Sequence, residues 1–250
     1  MDIVLEEILK TRKVITPSGE IRKLHSEIAP KEGRFIQKLI TEHKPGRTLE
    51  IGLAFGISSL YICEALKQNL RHRHIIIDPY QHNEEWSGIG LNNLKRAGYG
   101  EMIEFYEERS LAILPKLLEK GLKLDFALID GSHMFENVMA DYYFIDQMLT
   151  VGGIVVFDDV DVTWPAVRKV CRFIMKNSHY KVIGCSETFP VGRSWKWQAI
   201  NIFKNIFPGM AQKILKPELI KTDAQIGING SCVAFQKESN QRDWNTFNDF

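Results

Sequence analysis

The sequence has no excess of either charge. Its 250 residues carry 32 Lys and Arg against 31 Asp and Glu, a formal net charge of +1. That balance argues against nucleic-acid binding through bulk positive charge, and no nucleic-acid partner is expected. No apolar run approaches the roughly 18 residues of a membrane helix, so no transmembrane segment is expected. There is no internal repeat and no low-complexity tract. Cysteine is sparse: Cys63, Cys171, Cys185 and Cys232 form no CxxC pair. They read as buried thiols of a reducing compartment rather than as disulfide staples. The first ten residues include Asp2, Glu6 and Glu7 and do not read as a secretory leader, so a cytoplasmic location is expected. What remains is ordinary globular material, 44% apolar and 25% charged. It is enough for one large core with decorations.

Residues 1–45 read as a helical and irregular N-terminal segment, with apolar residues at helical spacing in Leu5, Ile8 and Leu9 and again in Phe35, Ile36, Leu39 and Ile40. After the turn at Lys44-Pro45-Gly46-Arg47 the pattern becomes strand, turn, helix, repeated. Strands are expected at 48–51, 74–77, 103–106, 125–129 and 154–157, with later ones at 180–184 and 231–236. Helices are expected at 58–70, up to 97, and at 111–120, 135–149 and 165–177. Short apolar strands alternating with helices predict an α/β fold. It is a doubly wound, mostly parallel sheet with helices on both faces and an antiparallel final strand. The expected organisation is one domain over 1–250. It comprises the segment 1–45, a ligand-binding core at 46–185, a basic aromatic insertion at 186–230, and a final strand and tail at 231–250.

The clearest local signal is Leu49-Glu50-Ile51-Gly52-Leu53-Ala54-Phe55-Gly56-Ile57-Ser58. A glycine turn between a first strand and its helix lets a ligand approach the backbone at a helix N-terminus. The spacing is G-x-x-x-G and not the G-x-G-x-x-G of nicotinamide sites. Glu50, two residues before the first glycine, suits a ligand amine and is badly placed beside a pyrophosphate. Asp78 closes the second strand, where an acid can accept from both hydroxyls of a ribose. The competing reading of Asp78 is a strand-end Asp-Pro turn. An amine acceptor and a ribose acceptor without a pyrophosphate loop point to S-adenosylmethionine.

Asp130 follows the fourth strand, and Asp158 and Asp159 follow the fifth. Strand ends on the carboxyl edge are where such sheets bind ligands. Three carboxylates there repel one another unless a cation intervenes, most simply Mg2+. His133, three residues after Asp130, is placed to take a proton from an acceptor hydroxyl. The ordinary structural reading makes Asp130 a helix cap and Asp158-Asp159 a turn. His82, Trp86 and the run His25-Ser26-Glu27 are further candidates for the acceptor side.

The run Leu49 to Ser59 resembles the first motif of class I S-adenosylmethionine-dependent methyltransferases. It is most similar to the metal-dependent catechol O-methyltransferase branch and to bacterial sugar and antibiotic O-methyltransferases. The resemblance spans about residues 46–160 and implies a Rossmann-like methyltransferase sheet. It implies that Gly52, Ser58 and Glu50 hold the methionine end, that Asp78 holds the ribose, and that Ser110, in Arg109-Ser110-Leu111, lies near the adenine. It also implies that Asp130, Asp158 and Asp159 hold the metal, with Asp130 beside the cofactor as well. His133 falls where that family carries its general base. Asp159 departs from the plant and animal enzymes, which have Asn there.

Charge is unevenly spread. Residues 125–161 hold eight acids and no Lys or Arg, whereas 193–221 hold six basic residues and one acid. The basic segment places Ile200, Phe203, Phe207 and Met210 on one helical face behind Trp195 and Trp197. A lid, a subunit interface, a membrane-surface helix and plain packing on the sheet edge all fit it. The expected activity is methyl transfer from S-adenosylmethionine to a hydroxyl of a small molecule, with a homo-oligomer left open. The alternatives are a metal-independent N- or C-methyltransferase, and a non-catalytic scaffold that binds the cofactor.

Overall fold

A computed structural model describes residues 1–68, 73–160, 163–175, 179–186, 195–215, 228 and 230–240, leaving aside the side chains of 195–198, 201 and 212. Its centre is a sheet of seven strands. These are β3 (Arg47–Ile51), β4 (Arg73–Ile77), β5 (Ile103–Tyr106), β6 (Leu124–Ile129), β7 (Leu149–Phe157), β8 (Tyr180–Cys185) and β9 (Val233–Lys237), in the order β5-β4-β3-β6-β7-β9-β8. The strands from β5 to β7 pair in parallel. β9 inserts antiparallel between β7 and β8. The central strands, such as Ile75-Ile76-Ile77 and Ile154-Val155-Val156-Phe157, are buried throughout. That is the pattern of a sheet covered on both faces.

Helices α1 (Ile3–Thr11), α2 (Pro30–His43), α3 (Ile57–Leu66) and α4 (Ile89–Arg96) cover one face, where Leu5, Ile36, Ile40, Leu60 and Tyr61 form the core. Helices α5 (Ser110–Glu119), α6 (Phe135–Met148) and α7 (Pro165–Met175) cover the other through Ile113, Leu117, Ile145, Val170 and Ile174. The chain winds outward from β3 to β4 and β5, then returns to β6 on the other side of β3. The order therefore reverses between β3 and β6, and a crevice opens beyond their carboxyl ends.

Three local details depart from the sequence expectation. The N-terminal segment contains a hairpin, β1 (Lys13–Ile15) with β2 (Ile21–Lys23), too short to show alternation. It is tied to the α4 region: Asn92 Nδ2 donates to the Ile15 carbonyl at 2.9 Å, and Arg22 reaches the Glu84 carbonyl at 2.7 Å. α6 ends at Met148 and β7 starts at once at Leu149, five residues before the expected strand at 154–157, so Gly152 and Gly153 lie inside the strand. The basic segment is two helices, α8 (Trp195–Ile206) and α9 (Pro208–Ile214), because Pro208 starts a new helix. Ile200 and Phe203 are half-buried while Phe207 and Met210 are exposed, so the four do not form one packed face.

β9 is anchored by a buried charge. Lys237 Nζ donates to the carbonyls of Asp146 and Leu149 at 2.6 and 3.1 Å and faces Asp146 Oδ1 at 3.3 Å. Tyr180 donates to the same carboxylate at 2.7 Å. Among the described residues, no helix is long and apolar enough to cross a membrane.

Candidate active site

A cleft of about 800 Å³ lies over the carboxyl edge of the sheet. The segment after each parallel strand lines it: Gly52–Phe55 after β3, Asp78–Tyr80 after β4, Arg109–Leu111 beyond β5, Asp130–Met134 after β6, and Asp158 and Asp159 after β7. Tertiary structure thus gathers Gly52, Ser58, Asp78, Ser110, Asp130, His133, Asp158 and Asp159 around one space.

Gly52 has φ +93°, and a Cβ there would sit 2.0 Å from the Asp130 carbonyl oxygen. Glycine therefore lets the ends of β3 and β6 touch, which brings the glycine turn and Asp130 together. Gly56, at φ +76°, opens α3 and meets the Gly90 backbone. Asp78 Oδ2 accepts from the amides of Leu53 and Ala54 at 2.8 and 3.1 Å, and Oδ1 accepts from Tyr80 at 2.8 Å. Asp78 therefore shapes the turn, and its carboxylate retains acceptor sites towards the cleft.

Glu50 is the exception. It points to the opposite side from Leu49 and Ile51, into the layer of α3, and does not line the cleft. It is fully buried, accepts from the Ser59 hydroxyl and meets His74 Nε2 at 3.1 Å. His74 Nδ1 in turn contacts Thr48 Oγ1 at 2.9 Å. A side chain so enclosed is not positioned to reach a ligand amine. The structure places Glu50 in an interior network under the turn, apart from the cleft lining.

The acidic cluster assembles with one change of membership. Ligand atoms of Asp130, His133 and Asp159 lie within 4.8 Å of one another. Asp158, buried beside them, completes the rim. Burial, then the charges of Asp158, Asp159, Glu50 and Glu32, hold the Asp130 carboxyl well above the ordinary carboxylate range. Asp159 adopts a left-handed backbone, φ +56°, unusual for a residue with a Cβ. Its carboxylate stands 2.7 Å from His133 Nε2, without aligned hydrogen-bond geometry. The imidazole stacks on Trp164, with ring centroids 4.0 Å apart and planes at 20°.

Of the acceptor-side candidates, Ser26, Glu27 and Trp86 line the cleft. His25 backs them by packing on Phe55 and Trp86, with centroids 4.9 and 5.6 Å away. His82 turns away to Glu107, Nδ1 to Oε2 at 2.7 Å. None of the described residues of α8 and α9 lines the cleft. Trp195 and Trp197, as side chains, lie outside the described residues, as do 187–194 and 216–227.

Sequence reading passed over Asp141, Glu32, Phe55 and Trp164, all of which line the cleft. A signal existed for Asp141: it interrupts the buried stripe Val138, Tyr142, Ile145 and Met148 of α6 with a charge. An acid on the apolar face of a helix needs a partner or a purpose.

Residues 49–160 match a family model described as a methyltransferase domain. The chain is 30% identical over 131 residues to a flavonoid 3',5'-methyltransferase of Vitis vinifera, covering 51% of this chain and 53% of that protein. It is 26% identical over 157 residues to a catechol O-methyltransferase of Niastella koreensis, covering 58% and 67%. The matches thus span about half to two thirds of these curated relatives. In fold it is similar to an O-methyltransferase of Bacillus cereus solved with S-adenosylhomocysteine. The TM-score is 0.59 at 20% identity, covering 73% of this chain and 83% of that one.

Proposed function

We propose, from the premise that residues 49–160 belong to the methyltransferase-domain family, that the chain transfers a methyl group from S-adenosylmethionine to a hydroxyl of a small molecule. One observation carries this reading. The glycine turn with Asp78, and the cluster of His133 with Asp130, Asp158 and Asp159, face the same cleft from adjacent strand ends. Cofactor and acceptor would then meet within one enclosure, and alignment is the main need of a donor as reactive as a sulfonium.

The Leu53-Ala54 turn and Ser58 border the methionine end, and Asp78 accepts from the ribose hydroxyls. The acceptor oxygen attacks the methyl carbon as the carbon–sulfur bond breaks. The bonding pair stays on sulfur, leaving neutral S-adenosylhomocysteine. His133 takes the hydroxyl proton. Asp159 and the Trp164 ring hold the imidazole in place. Phe55 and Trp86, edge to face at 5.0 Å, wall the acceptor side.

The donor set fits a hard divalent cation: a carboxylate oxygen each from Asp130 and Asp159 converge beside the His133 imidazole, Asp158 lines the same cleft, and Asp130 is burdened by neighbouring negative charge that a cation would offset. Asp130, Asp158 and Asp159 would hold it, with Mg2+ the simplest choice. When bound, such an ion lowers the pKa of an acceptor hydroxyl.

Calorimetric titration with S-adenosylmethionine and S-adenosylhomocysteine tests the cofactor; no binding of either removes it. With a catechol as test acceptor, we expect His133→Ala to lower kcat about 10²-fold or more. Asp158→Ala should abolish Mg2+-stimulated turnover. Full wild-type turnover in chelator would remove the metal and keep the methyltransferase.

A further inference from the structure

Two segments distant in the chain wall one side of the cleft. Ser26, Glu27 and Ile28 come from the stretch between β2 and α2, and Tyr80 and Trp86 from the loop between β4 and α4. The first stretch runs into Glu32, near the start of α2, whose charge is among those that raise the Asp130 carboxyl. This wall therefore stands beside the acidic cluster, where an acceptor hydroxyl would react. The two segments touch through rings: His25 and Phe55 pack on Trp86, with centroids 5.6 and 5.0 Å away. Ring contacts of this kind are tolerant of sliding and do not fix a loop by themselves.

Arg22, on β2, supplies a directional link. Its Nη1 donates to the Glu84 carbonyl and to Ser87 Oγ, both at 2.7 Å, and these two residues bracket Trp86. Glu20 holds the other edge of the guanidinium, with Nε to Oε1 at 3.2 Å and Nη2 to Oε2 at 3.1 Å. The planar fork is thus oriented by its own hairpin and spends its remaining donor on the loop. Ser87 Oγ also donates to the Glu84 carbonyl at 2.8 Å, which closes a triangle. Ser87 has a left-handed backbone, φ +46°, which a residue with a Cβ keeps where its neighbours hold it. The loop closes on itself as well: the Ser87 amide donates to the Asn83 carbonyl at 2.8 Å and the Gly88 amide to the Gln81 carbonyl at 2.7 Å. Its start is tied to the glycine turn by Gln81 Nε2, 3.0 Å from the Ala54 carbonyl. Without Arg22 that start stays in place, while the end carrying Trp86 loses its polar tie to the hairpin.

We propose that Arg22 is a positioning residue for the methyl acceptor: it clamps the Trp86 loop onto the β1–β2 hairpin, so that the two segments present one fixed wall to the acceptor. This rests on the methyl-transfer reading above. A wall already in place costs the acceptor nothing to order, whereas a loose one must be ordered at the expense of acceptor affinity. The glycine turn is held by Asp78 and Gln81 and not by Arg22, so cofactor affinity is independent of the clamp. Arg22 is itself one-third exposed, and its loss opens no cavity in the core.

The experiment compares the full chain with Arg22→Ala and Arg22→Lys, using a catechol as test acceptor, calorimetry with S-adenosylhomocysteine, and amide hydrogen exchange. Arg22→Ala should raise the acceptor KM about tenfold. Its kcat should stay within about threefold and its S-adenosylhomocysteine affinity within about twofold of wild type. Exchange should quicken at 84–89 and stay unchanged at 52–56. Arg22→Lys, which keeps the charge without the fork, should give an intermediate KM. Adding Ser87→Ala to Arg22→Ala should raise KM no further, since both remove one link. An unchanged KM, or a loss of S-adenosylhomocysteine affinity equal to the loss for the acceptor, overturns the proposal and leaves the cofactor reading intact. If the wild type does not turn over the catechol, exchange decides: protection at 84–89 kept in Arg22→Ala overturns the clamp. Failure of the wild type to bind S-adenosylhomocysteine overturns the cofactor reading, and the proposal with it.

Discussion

Substituting Gly52 by Ala tests how the site is assembled. Two separate costs fall on this change. The backbone at φ +93° disfavours any residue with a Cβ, which costs about 1–2 kcal/mol. The new methyl carbon would also stand 2.0 Å from the Asp130 carbonyl oxygen, over 1 Å inside van der Waals contact. Backbone cannot rotate aside as a side chain does, so β3 and β6 must part, at about 1–3 kcal/mol more by analogy with overpacked cores. Gly98 separates the two: it has φ +78° and nothing within 4 Å of its would-be Cβ, so Gly98→Ala carries the conformational cost alone. For a chain of this size each kcal/mol is about 2–4 °C of melting temperature. We expect Gly98→Ala to melt a few degrees below wild type and Gly52→Ala at least twice as far below. Only Gly52→Ala should also lower turnover, by about 10²-fold if the Asp130 end moves by 1 Å. Scanning calorimetry and steady-state kinetics read both quantities. Equal melting shifts with unchanged turnover in Gly52→Ala would refute the claim that this glycine sets the distance between the strand ends.

Two further expectations follow from buried carboxylates. Glu50→Gln removes a charged acceptor from Ser59 and His74, so thermal unfolding should show a loss of about 1–3 kcal/mol. Its cofactor affinity by calorimetry should stay within about threefold of wild type; a tenfold loss of affinity at unchanged stability would return Glu50 to the ligand. The Asp141 carboxyl, raised from 3.8 to about 6, binds its proton more tightly in the folded chain than in the unfolded one. Stability of the free protein should therefore fall as pH rises from about 4 to 6, by up to roughly 3 kcal/mol from this group. Urea unfolding across that range checks it. Asp141→Asn should flatten the slope, and a parallel slope in the variant would assign it to other groups, Asp130 among them.

Much of the fold was legible because its signals are local. Apolar strands of four to six residues separated by helical stretches dictate a covered parallel sheet. The glycine spacing after the first strand separated this turn from a nicotinamide fingerprint. The short β1–β2 hairpin and the break at Pro208 within the basic segment were missed, since neither carries enough residues to set up a periodicity. Ser58, Asp78, Asp130, Asp158 and Asp159 could be picked out because chain order alone puts them after successive strands or at the helix start beside one.

What sequence could not decide is direction. Glu50 lies in a strand buried on both faces, so alternation says that it opposes Leu49 without saying which side holds the ligand. Only packing against Ser59 and His74 settles it. The grouping of His133 with Asp159 depends on a left-handed backbone at Asp159, which turns that side chain across the β6 end. Asp141 joins Ser110, 31 positions away in the chain, in lining the cleft only because α5 and α6 pack side by side. The sequence by itself determined a covered parallel sheet, its glycine turn and the row of acids along one edge, since each depends on neighbours a few residues away. Which of those acids face the cleft, which face the interior, and that a helix adds another were decided by tertiary structure, because side-chain direction is set by the packing of elements distant in sequence.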